Sequence, residues 1–182
     1  QRRLLALEQL LDVRGTETAV QRVVASVIEA PLSNFERTIE IDRGSNDGVR
    51  VGMPVEAGSG LVGRIVQVGR SRSRVELVTD TQFAAGVRLV RSADTGVVEG
   101  NGSSGALTIS FIGLETVVVP GETVVTSGLE GSQFPSGIVV GTVIAARPDP
   151  VNGTQEVDIV PSADLDRLSL VQVVLFVPEP VD

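Results

Sequence analysis

The sequence predicts an all-β protein made of two small, related six-stranded β-barrels, preceded by a short N-terminal helix that reads as the end of a coiled coil. Three observations lead there. The apolar residues are mostly Val, Ile and Leu in short runs, cut at close intervals by 20 Gly and 9 Pro, with five Phe and no Trp or Tyr. Short β-branched runs separated by turn residues are the pattern of sandwiches and barrels. Asn46-Asp47-Gly48, Asn101-Gly102 and Asn152-Gly153 are residues that accept positive φ in tight turns. The third observation is an internal repeat, which implies the same fold unit twice.

Residues 1–15 differ from everything after them. They are rich in helix formers, with no β-branched residue or Gly before Val13. Leu4, Leu7 and Leu11 fall at three-then-four spacing, with Leu10 beside the stripe, and Gly15 is a stop. About three turns is marginal for an isolated helix in water. The stripe therefore reads either as the trailing end of a self-associating coiled coil or as a short helix packed on the first barrel. The expected strands are 20–29, 36–42, 53–57, 61–68, 74–79, 86–91, 96–100, 106–112, 122–127, 137–146, 155–160 and 171–177. Alternation is clear in Thr38-Ile39-Glu40-Ile41-Asp42 and in Arg74-Val75-Glu76-Leu77-Val78, so one face of each is buried and one wet. Residues 162–168 read as one helical turn capped by Ser162, with early Asp and late Arg suiting the dipole.

In the first copy of the repeat, Val51-Gly52-Met53-Pro54-Val55 leads to Leu61-Val62-Gly63-Arg64-Ile65 and then Val75-Glu76-Leu77-Val78. In the second, Pro120-Gly121-Glu122-Thr123-Val124 leads to Val139-Val140-Gly141-Thr142-Val143 and then Val157-Asp158-Ile159-Val160. Gly52 matches Gly121 and Gly63 matches Gly141; a glycine at a fixed strand position marks a bend or a close backbone approach. The expected partition is a first barrel over 16–82, a second over 83–169 and a tail over 178–182. By strand count, residues 170–178 either complete the first barrel or follow both.

Several functions are excluded by composition. A net charge of −8 and the lack of aromatic interleaving argue against nucleic acid. With no Cys and no His there is no thiol nucleophile, no zinc thiolate and no imidazole base. Every cationic side chain is Arg, so neither a Ser-His-Asp triad nor a Ser-Lys dyad can be assembled. Asp158, Asp164 and Asp166 near Glu156 leave an Asp/Glu-pair hydrolase, protease-like or glycosidase-like, as the alternative function; sugar-stacking Trp and Tyr are absent. Neither a metal nor a cofactor site is expected. No apolar run approaches the roughly 20 residues that span a bilayer, so membrane attachment is expected only through a segment upstream of Gln1. Arg64, Arg70, Arg72 and Arg74 form the one basic concentration after the N-terminus and read as a solvated strand end and turn or as an anion contact. The loop 128–136 offers Leu129, Phe134 and Pro135 either as partner anchors or as a plug of the barrel mouth.

Taken in order, several pieces resemble the MreC family of rod-shape-determining proteins. They are Glu36-Arg37-Thr38-Ile39-Glu40-Ile41-Asp42-Arg43-Gly44-Ser45-Asn46-Asp47-Gly48-Val49, Gly60-Leu61-Val62-Gly63-Arg64-Ile65 and Ser73-Arg74-Val75-Glu76-Leu77-Val78-Thr79-Asp80. Val125-Thr126-Ser127-Gly128-Leu129, Phe134-Pro135-Ser136-Gly137 and Pro161-Ser162-Ala163-Asp164-Leu165-Asp166-Arg167-Leu168 continue the match. The resemblance implies a non-catalytic scaffold on the extracytoplasmic face of the bacterial cytoplasmic membrane, held by an upstream transmembrane helix. It implies a part in the cell-elongation machinery that builds peptidoglycan. It implies self-association, as dimer or filament, and contact with the elongation transpeptidase (a class B penicillin-binding protein) and with the membrane protein MreD.

Overall fold

The computed structural model describes residues 20–29, 37–102, 105–129 and 132–178. The predicted helix, with Leu4, Leu7 and Leu11, lies outside the described residues. The chain begins with β1 (Arg22–Glu29), β2 (Thr38–Ile41), a 3-10 turn (Ser45–Asp47), β3 (Pro54–Ala57), β4 (Gly60–Val68) and β5 (Ser73–Leu77). It continues with β6 (Ala84–Leu89), β7 (Thr95–Gly100), β8 (Leu107–Gly113), β9 (Thr123–Thr126), β10 (Val139–Asp149) and β11 (Thr154–Pro161), and β12 (Leu170–Val174) is last. The all-β class is as the sequence predicts, and so are the two closed six-stranded barrels.

The first barrel closes in the order β1-β12-β3-β4-β5-β2 and the second in the order β10-β11-β8-β7-β6-β9, with antiparallel neighbours throughout. Laying one circuit on the other matches β1 to β5 with β7 to β11. The sixth place is taken by β12 in the first barrel and by β6 in the second. The second barrel is therefore inserted between β5 and β12 of the first.

The repeat glycines do the same work in both copies. Gly52 (φ 91°) donates its N–H to the Ile65 carbonyl at 2.8 Å, and Gly121 (φ 90°) donates to the Val143 carbonyl at 2.8 Å. Both need the left-handed region, where a side chain is strained. At Gly63 a Cβ would sit 1.8 Å from the Glu76 carbonyl oxygen, and at Gly141 it would sit 2.2 Å from that of Val160. Hydrogen there lets the neighbouring strand cross at a barrel corner.

Each barrel holds an apolar core, with Ile39, Ile41, Val55, Ile65, Val75 and Val173 in the first and Leu107, Ile109, Val124, Val140, Val157 and Ile159 in the second. Burying such a side chain contributes about 1.5–3 kcal/mol. Leu61, Val78 and Val174 come from the first barrel but pack into the second core, so the two are joined by apolar contact. Gly60 lies against the Val139 carbonyl, and Gly100 against the backbone of 78–80, each too close for a Cβ. Arg37 Nη2 donates to the Gly102 carbonyl at 2.9 Å.

The segment 162–168 departs from expectation. It is a turn rather than a helix, closed by Asp164, whose Oδ1 accepts from the Asp166 N–H at 3.3 Å, and not by Ser162. Ala163 packs on the first core and Leu165 on both. Two apolar residues spaced by two are needed to seal the barrels, and one helical turn would not point both of them inward.

Candidate interaction surface

The second barrel opens a groove of about 550 Å³ between the β6-β7-β8 face and the segment after β9. Ala84 and Gly86 of β6, Gly96 and Val97 of β7 and Phe111 of β8 line one side, with Ser127 and Leu129 opposite. Two glycines lower this face, because a Cβ at Gly96 would meet the Ser110 carbonyl at 2.6 Å and one at Gly86 would meet Ser127 Oγ at 2.8 Å. The Ser127 hydroxyl is buried and has no hydrogen-bond partner among the described residues.

Of the three residues singled out in the loop, Leu129 and Phe134 border the same groove and Pro135 faces away from it. Leu129 is 57% exposed on the groove wall. Phe134 is 2% exposed and stacks on Phe83, with ring centroids 6.2 Å apart and planes 16° apart. It is thus part of the second core and at the same time borders the groove. Pro135 faces a different cleft, about 960 Å³, between the barrels, and its carbonyl accepts from Thr126 Oγ1 at 2.6 Å.

Phe111 is the groove residue that sequence reasoning missed. It is 72% exposed and held at φ 71°, a conformation costly for a side chain of its size. The cause is a bulge: Ile112 faces Gln155 and Ile109 faces Val157, so β8 takes three steps where β11 takes two. The signal was in the text, since Ile109 and Ile112 are both apolar at a spacing that strict alternation would send to opposite faces.

The arginine cluster is also divided. Arg64 forms an ion pair with Glu76 at 2.8 Å, donates to the Gln82 carbonyl at 3.2 Å and lies 5.5 Å over the Phe83 ring. It thus belongs to the junction of the barrels and to the end of the groove. Arg70, Arg72 and Arg74 sit exposed on the β4–β5 hairpin.

The carboxylates weighed for hydrolysis hold local structure. Arg147 donates to Glu156 at 3.2 Å and to Asp158 at 3.0 Å, Thr108 also donates to Asp158, and Asp164 closes its turn. Among the described residues no group of three His, Cys, Asp or Glu is placed to hold a metal ion. Asp149 sits at the tip of the β10–β11 hairpin. Its carboxyl is held below the usual range by hydrogen bonds from the Asn152 side chain, then the Asn152 and Val151 backbone.

Two closed, related antiparallel barrels, one inserted in the other and one of them bearing a groove, define a two-barrel all-β module. A family model for rod shape-determining protein MreC, barrel core, matches residues 27–175, and the chain belongs to that family. The curated relatives it matches are each a cell shape-determining protein MreC, and the chain spans about half their length. Among solved structures, MreC from Pseudomonas aeruginosa superposes with TM-score 0.79 at 34% identity, over 85% of this chain and 99% of that one. The major periplasmic domain from the cell shape-determining filament MreC gives 0.75 at 25% identity, over 86% and 96%. In a complex between Penicillin-Binding Protein (PBP2) and MreC from Helicobacter pylori, the matching chain gives 0.65 at 17% identity, over 85% and 98%, which is a likeness of fold.

Proposed function

We propose that the chain is the non-catalytic, extracytoplasmic scaffold portion of a cell-elongation assembly, which self-associates and binds cell-wall synthesis proteins. Family membership supports the shape-determining role. The observation that carries the binding role is the groove flanked by exposed Phe111 and Leu129, because aromatic and aliphatic anchors beside a preformed trough with polar groups such as Arg64, Thr95 and Gln133 are what a protein partner needs. The partner of first choice is the elongation transpeptidase, a class B penicillin-binding protein, in keeping with the complex described for the Helicobacter pylori relative. MreD is a further partner, and attachment to the membrane runs through a segment upstream of Gln1. Self-association runs through the Leu4, Leu7 and Leu11 stripe, in keeping with the filament described for another relative.

The test is binding of the transpeptidase ectodomain to the immobilised chain. Phe111→Asp and Leu129→Asp are expected to weaken binding at least tenfold, roughly the loss of one interface hot spot, with unfolding unchanged for Leu129→Asp. Undiminished binding by both variants moves the interface off the groove; absence of binding by the parent chain removes the transpeptidase as partner. In a longer chain carrying the preceding residues, Leu7→Asp is expected to shift sedimentation toward monomer. Turnover of peptidoglycan abolished by a single Asp substitution would replace this reading with the hydrolase.

A further inference from the structure

Antiparallel neighbours alternate in direction, so one rim of the first barrel collects the start of β1, the connection 42–53, the turn 69–72 and the end of β12. Contacts across that rim agree with the topology. Ser45 N–H donates to the Gly69 carbonyl at 2.9 Å and Asn46 N–H to that of Arg70 at 3.0 Å, while Leu175 packs beside Gly48.

The rim carries Arg43, Arg50, Arg70 and Arg72, with Arg74 at the edge of β5. Arg43 is answered by Asp42 at 3.2 Å and Asp47 at 3.8 Å. Arg72 touches Glu40 at 3.3 Å, yet its side chain stays 69% exposed. Among the described residues no carboxylate lies within ion-pair distance of Arg50, Arg70 or Arg74. The opposite rim carries Glu29, Asp80, Asp164 and Asp166 against Arg37 and Arg167, so it is net acidic and the barrel is polarised along its axis although the chain as a whole is at −8. Beside Arg50 stands Val51, 65% exposed, and Val177 is exposed where the chain leaves β12. The described chain starts at this same rim, with Val20 and Gln21 leading into β1.

We propose that this rim docks on a bilayer surface rich in anionic phospholipid, with Arg50, Arg70 and Arg74 on headgroup phosphates and Val51 in the boundary between headgroups and acyl chains. Guanidinium matches phosphate with paired N–H donors, and an apolar side chain among arginines suits a lipid boundary better than a dissolved anion. The proposal rests on the reading of an upstream attachment only for its orientation; the contact itself needs no anchor. A net-negative chain can approach such a surface in one orientation only, basic rim first.

The experiment is co-sedimentation of the 182-residue chain with vesicles of phosphatidylglycerol and phosphatidylcholine, and with phosphatidylcholine alone. Binding to the anionic vesicles only is expected, and it should fall as salt rises. Each arginine at the headgroup plane is worth about fivefold, so Arg50→Gln/Arg70→Gln/Arg74→Gln should lose on the order of a hundredfold. Val51→Asn should weaken binding with the arginines intact, and unchanged thermal unfolding checks that all variants are folded. Equal binding to neutral vesicles, or an unaffected triple variant, overturns the proposal. Binding abolished by millimolar inorganic phosphate and indifferent to Val51→Asn overturns the membrane assignment in favour of a soluble anion. Transpeptidase binding measured on the same triple variant is expected to be unchanged, which separates this proposal from the groove.

Discussion

Gly141 shows how one missing carbon governs a barrel. A Cβ there would lie 2.2 Å from the Val160 carbonyl oxygen, a distance that only a shift of β11 against β10 can relieve. Gly141→Ala is therefore expected to cost about 2–4 kcal/mol, read from the midpoint of urea unfolding. Gly58→Ala, with nothing within 4 Å, should lie within about 0.5 kcal/mol of the parent. Asp149 offers a second residue-scale test. Its carboxyl is lowered chiefly by the Asn152 side chain, so Asn152→Ala should move it up toward the ordinary carboxylate range in an NMR titration. Since the folded-state value is depressed, the hairpin tip gains support above the unfolded carboxyl pKa and loses it as pH falls through the folded value. The place of Asp149 at a hairpin tip keeps that effect local.

At the scale of elements, β12 matters most. It lies between β1 and β3, with Val173 opposite both Val23 and Val55, and so it seals the first barrel from a point nearly a hundred residues beyond β5. Removing 170–182 is expected to leave β1 and β3 with bare edges and to expose Val55 and Ala25 to water. Hydrogen exchange across 37–79 should accelerate while 84–161 remains protected. Unchanged protection over 37–79 would show that five strands suffice. The β8 bulge is the other decisive element, because the extra residue turns Phe111 outward while Ile109 and Ile112 both stay in the core.

For the whole molecule, the insertion of one barrel within the other means that two crossings, one after β5 and one before β12, tie them together. Arg64 spans the junction, paired with Glu76 of its own barrel and lying over Phe83, which belongs to the second core. Arg64→Gln removes the ion pair and leaves the Glu76 carboxylate largely buried, its side chain 10% exposed. A loss of about 2 kcal/mol is expected, below the full cost of a deeply buried pair because Arg64 itself is partly wet. Exchange at Phe83 and along β4 should rise together. A rise confined to β4 would mean that the cation over the ring does not couple the barrels.

What the sequence by itself determined is local: the twelve strands, the positions of the turns and the paired roles of Gly52 with Gly121 and Gly63 with Gly141. Alternation and positive φ are imposed over a few residues, so they can be read from a few residues. The lack of any imidazole, thiol or amine side chain was equally plain, because it needs no geometry. Only the tertiary structure decided that β12 closes the first barrel, that Phe134 lies inside on Phe83 while Phe111 stands outside, and that Arg64 parts company with Arg70, Arg72 and Arg74. Each of these depends on which distant strand becomes a neighbour when a barrel closes. Closure is a property of the whole sheet, and no run of residues carries it alone.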